Sequence, residues 1–154
     1  MDLSKEELEL LKKAYKLMRN THNKYQPETE TAISDFESKY GSIPSEYRYL
    51  LKEFGGCHFA DPWIFTLNEL AHAVVSGYEH TNIVSSDNAF PVGGVGDGST
   101  VYIMNDTSGI ALLPHDVYVE SLDDLEIIAD SFKHLILELA TQFIELDEQI
   151  SGRN

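Results

Sequence analysis

Cys57 followed by His58 is the pair in this sequence closest to a nucleophile beside a base. A histidine that accepts a thiol proton makes a thiolate, the attacking species of cysteine hydrolases. Neighbours in sequence usually point in different directions, however, and no local signature of such an enzyme surrounds the pair. A lone cysteine is more often a small buried hydrophobe. The richest glycine cluster, Gly93-Gly94-Val95-Gly96-Asp97-Gly98-Ser99, would let backbone amides approach a phosphate. Yet no Lys follows it, Ser99 stands where a dinucleotide loop places its third glycine, and strand-like residues come next instead of a helix. A hairpin turn that needs positive φ explains the glycines better.

Six histidines, His22, His58, His72, His80, His115 and His134, are scattered without an HExxH or His-x-His spacing, so no metal site is expected. His72, His80 and His115 are expected on loops or on an acidic face. The adjacent carboxylates Asp123 and Asp124 would suit glycoside hydrolysis only if two acids faced one cleft, and a solvated helix start is the simpler reading.

Charge is the stronger signal. The net charge is −15, but residues 1 to 52 are neutral in balance. Between Glu53 and Phe132 there is no Lys or Arg, whereas thirteen acids occur: Glu53, Asp61, Glu69, Glu79, Asp87, Asp97, Asp106, Asp116, Glu120, Asp123, Asp124, Glu126 and Asp130. A field of one sign repels nucleic acid and steers basic partners inward. The same acids could equally serve solubility alone.

The elements that must carry these residues read as follows. Ser4 and Glu7 form a capping box, and Leu8, Leu11, Tyr15 and Met18 give the helix from Lys5 to Arg19 its apolar face. A loop from Asn20 to Gln26 leads to a second helix from Pro27 to Gly41. Pro44 opens a third, with Tyr47, Leu50, Leu51 and Phe54 on one face and Gly55-Gly56 at its end.

Beyond it the period changes. Cys57 to Phe65 reads as extended or irregular, Leu67 to Val75 as a short helix, and Asn82 to Ser85 as a link. Strands are expected at Ala89 to Val95, Thr100 to Met104, Ile110 to Leu113 and Val117 to Glu120, joined as an antiparallel meander. Asp130 is expected to cap a last helix whose face is Phe132, Leu135, Ile136, Leu139, Ala140, Phe143 and Ile144, and which should cover the sheet. The result is one α+β domain over residues 1–154, with a helical extension over 1–26 and a core over 27–148. No apolar run is long enough to span a membrane, and the first residues carry no basic start or apolar signal core. With a single cysteine, the expectation is a cytoplasmic protein.

Three ordered blocks add to this. Ile43-Pro44-Ser45-Glu46-Tyr47-Arg48-Tyr49-Leu50-Leu51 with Phe54-Gly55-Gly56 comes first, then Phe90 to Ser99 with Val101-Tyr102-Ile103, then Ile128 to Ile136 around Ala129-Asp130-Ser131-Phe132. Together they resemble the SUKH superfamily, also called the SMI/KNR type after fungal regulators of glucan synthesis, over residues 30 to 145. The resemblance implies a sheet, antiparallel or mixed, packed by helices, with no catalytic residues and no cofactor. For bacterial members it implies immunity proteins, antitoxins that each occlude a cognate toxin, often a nuclease.

A partner of that kind presents Lys and Arg for phosphates, which suits an acidic surface. The expected toxin contacts are Asp61, Asp87, Asp97, Asp106 and Glu120, all in or beside turns. Neither nucleic acid nor a membrane is expected as a partner, and the oligomeric state is left open. The alternative is a non-enzymatic regulatory scaffold that binds a basic cellular protein.

Overall fold

Helix α1 (Lys5–Arg19) starts as its capping box requires: the Ser4 hydroxyl accepts the Glu7 N–H at 3.1 Å, and the Glu7 carboxylate accepts the Ser4 N–H at 2.9 Å. The computed structural model describes residues 1–21, 24–76, 78, 83–115 and 118–151. His22 and His80, and with them Val117 of the expected 117–120 strand and Asn82 of the expected link, lie outside this set.

Helix α2 (Glu30–Tyr40) begins later than its proline suggested. Thr29 is its cap, accepting the Ala32 N–H at 3.1 Å, and Pro27 stays outside. The cause lies in Glu28, whose N–H bonds the Leu51 carbonyl at 2.9 Å and whose carboxylate accepts the Leu67 N–H at 3.2 Å. Those bonds hold the chain extended until Thr29. Helix α3 (Ser45–Glu53) follows Pro44 and is capped by Phe54, and at Gly55 just beyond φ is +95° and a Cβ would collide with the Gln26 carbonyl.

Five antiparallel strands then form one sheet in chain order: β1 (Trp63–Ile64), β2 (Ala89–Gly94), β3 (Thr100–Met104), β4 (Ile110–Leu113) and β5 (Glu126–Ala129). Helix α4 (Leu67–Ser76) crosses between β1 and β2, and α5 (Phe132–Ile150) follows β5. The fold is α+β. Val92 bulges out of the β2–β3 register, and its carbonyl accepts the Phe65 N–H at 3.0 Å, which ties β2 to the β1 side.

Two expectations fail near the end of the chain. Residues 118–120 are not a strand; the fifth strand is β5, which begins six residues after Glu120. A 3-10 turn at Leu122–Asp124, capped by the Ser121 hydroxyl, redirects the chain, so that Glu126, Ile127 and Ala129 pair with β4 instead. Asp130 does not cap α5. Ser131 does, accepting the His134 N–H at 3.1 Å.

The alternation of β3 divides the core. Val101 and Ile103 face the helices, where they join Leu11, Tyr15, Met18, Ile33, Tyr47, Leu50, Phe132 and Ile136. Two buried tyrosines anchor this side: Tyr15 donates to the Gly55 carbonyl and Tyr47 to the Phe65 carbonyl, each at 2.9 Å. Tyr102 and Met104 point the other way, into a smaller cluster with Val84, Ala89, Ala111 and Leu125. Loops cover that cluster, through Tyr78, Ile83, Val119 and Leu122. Helix α5 packs on α1 and α3 and meets β5 where the chain passes from strand to helix, adding Phe132 and Ile136 to the core beneath Val101 and Ile103, whereas α4 packs on β2.

Candidate binding surface

Local geometry disposes of the catalytic pairings first. Cys57 is buried beneath Tyr15, and burial pushes its thiol up to about 12, far from a usable thiolate. His58 is exposed, with its ring 5.9 Å from that of Trp63. Gly93 and Gly94 serve close packing, because a Cβ on Gly93 would strike the Trp63 carbonyl and one on Gly94 the Trp63 ring. Only Gly98 of the turn needs positive φ, at +94°. Among the described residues no three His, Cys, Asp or Glu side chains converge as metal ligands would. Asp123 and Asp124 are exposed in the 3-10 turn. His72 belongs to α4, whereas His115 follows β4, its ring against Gly98.

The five acids singled out from the sequence are all exposed, and the fold distributes them. Asp87 and Asp106 stand side by side at one end of the sheet. There Asn105 donates its backbone N–H to the Asn88 carbonyl at 2.9 Å and its side-chain amide to the Asp87 carbonyl at 3.0 Å, stitching the turn before β2 to the β3–β4 turn. Asp97 lies at the opposite end, in the β2–β3 turn. Its carboxylate accepts the Ser99 N–H at 2.9 Å and is held below the usual range by that bond, by the Ser99 hydroxyl and by nearby His115. Asp61 precedes β1, whose Trp63 pairs with Gly94, and so belongs to Asp97's end. Glu120 follows Val119, which packs on the loop-covered cluster.

The five expected contacts do not include the carboxylates that border β5: Asp123 and Asp124 before it, Glu126 on it and Asp130 after it, all exposed. Their signal was the missed strand itself.

Ion pairing separates the two halves of the molecule. Arg48 joins Glu37 at 3.0 Å and Glu30 at 2.6 Å, Lys52 also reaches Glu30, Lys13 pairs with Glu148, and Lys133 meets Glu7 at 3.1 Å. Of the described acids between Glu53 and Phe132, Glu69 alone forms a salt bridge, with Lys24 at 3.7 Å. An open groove of about 790 Å³ runs along α5, and Glu7, Lys133, His134 and Glu138 give it mixed charge.

Residues 27–138 match the SMI1 / KNR4 family (SUKH-1). The chain belongs to this SUKH-1 family. The match starts at Pro27 and so excludes α1, although Leu11, Tyr15 and Met18 share the main core of the SUKH-1 segment. All three blocks on which the resemblance rested fall inside it. They occupy structural places: Pro44 begins α3, Gly98 makes a turn, and Phe132 is buried. No curated protein matches the chain. No helix among the described residues is long and apolar enough to cross a membrane.

Proposed function

We propose that this SUKH-1 protein is an immunity protein: it binds a cognate toxin of basic surface, nuclease by type, and occludes it without catalysis or cofactor in the cytoplasm. The observation that carries the reading is the unpaired acidity of the sheet half. Nine exposed carboxylates lie there among the described residues, from Asp61 to Asp130, and none forms a salt bridge. Most natural surfaces intersperse both signs. A one-sign surface leaves carboxylates ready for a partner's Lys and Arg, and its field raises the rate of encounter. Family membership supports binding over catalysis, and the buried Cys57 agrees with it.

Asp61, Asp87, Asp97, Asp106 and Glu120 remain the proposed contacts. Their division between two sheet ends means that one partner face engages one group, with Asp87 and Asp106 as the adjacent pair. Co-expression tests the reading. A toxin domain encoded beside this gene should arrest growth alone and spare it when this chain is present. Equal arrest in both cultures would leave the regulatory scaffold in its place.

A further inference from the structure

The immunity reading leaves open where the partner docks, and the sheet edges are the natural place to look. A sheet in the order β1 to β5 has two edges, each a row of backbone groups that can pair with another chain. The β1 edge is occupied: Cys57 donates to the Ile64 carbonyl at 3.1 Å and accepts the Ile64 N–H at 2.7 Å. The β5 edge is open. Apart from its ladder to β4, β5 makes no backbone hydrogen bond among the described residues. Ile127 on that strand is 55% exposed, an apolar side chain in register with Ala111 and unsheltered by the loops that cover Tyr102.

Edge strands are commonly guarded by Lys or Pro, and β5 has neither. Its guard is acidic: Glu126 lies on it, and Asp123, Asp124 and Asp130 flank it. Such a guard repels a second copy of the same edge and attracts a cationic strand.

The geometry points to β5 as the docking edge, occupied by an extended segment of the partner that carries Lys or Arg, pairs with the Glu126–Ala129 backbone and seats an apolar side chain on Ile127. Main-chain pairing gives such a contact affinity, and alternate side chains give it specificity. The extra residue at Ile128, where the β4 register shifts, keeps the paired stretch short. This inference rests on the immunity reading and sharpens it.

A labelled peptide of alternating Lys and Val serves as the probe, beside the same peptide N-methylated at alternate residues, which keeps the charge but cannot pair. The full chain should bind the parent peptide about tenfold or more tightly than the methylated one by fluorescence anisotropy, with slowed amide exchange at residues 126–129. Ile127→Lys should weaken parent binding about tenfold, whereas Asn68→Lys, the same charge change at an exposed α4 position, should alter it little. Equal binding of the two peptides, or unslowed β5 amides in the wild-type complex, would overturn the docking edge while leaving the immunity reading to the growth assay. Growth arrest despite intact edge pairing would remove the immunity reading alone.

Discussion

The helical half and the sheet half solve the same electrostatic problem in opposite ways. On the helical side Lys13, Arg48, Lys52 and Lys133 are matched by Glu148, Glu30, Glu37 and Glu7, and the apolar faces beneath them form the larger core. On the sheet side the exposed carboxylates form no salt bridge among the described residues. The smaller cluster beneath them is roofed by loops. Under the proposed function, the difference gives stability to one region and recognition to the other, so changes on each side should have separable effects.

The largest effect is expected at Phe132, which is 1% exposed and packs 5.3 Å from the Tyr47 ring. Phe132→Ala should cost roughly 3 to 5 kcal/mol by denaturant unfolding, and the folded fraction should bind its partner as before. Unchanged stability with lost binding would erase the division of labour. Leu125→Ala, in the loop-covered cluster, should cost less, about 2 kcal/mol, because loops can settle into the space more easily than packed helices. A loss as large as that at Phe132 would show the two cores to be equivalent.

Gly98→Val should cost about 1 to 3 kcal/mol, since it forces φ of +94° on a branched residue and presses a Cβ to 3.1 Å from the His115 ring. Thermal unfolding checks it. For Cys57, a thiol pushed up to about 12 by burial should resist maleimide in the native state at pH 8 and react only as fast as the chain opens. Rapid native labelling would mean that this side of the core is not closed.

Acid should weaken the helical side by a modest amount. Glu7 is held below its ordinary value of 4.5 by the Ser4 N–H and Lys133, and Glu30 by Arg48 and Lys52. A carboxyl depressed in the folded state stabilises it above the unfolded value and loses that contribution as pH falls through the folded one. Stability should therefore decline below pH 4.5, and Glu7→Gln should flatten the decline.

Much of this was legible in the chain. Apolar period placed α1, α3, α4 and α5, helped by caps and breakers, and the turn residues around 96–98 and 105–109 placed the three central strands. The beginning of α2 was not legible, since Glu28's partners Leu51 and Leu67 are distant in sequence. Nor was β5, four residues whose extended state depends on pairing with β4. The segregation of charge could be read directly. What could not be read was the adjacency of Asp87 and Asp106, which Asn105 creates through contacts made only in the fold.

Association kinetics test the central claim most directly. The on-rate of this chain with the proposed toxin, measured by stopped flow from low to physiological ionic strength, should fall about tenfold or more while the off-rate changes little. An on-rate indifferent to salt would contradict the account and reduce the unpaired carboxylates to a device for solubility.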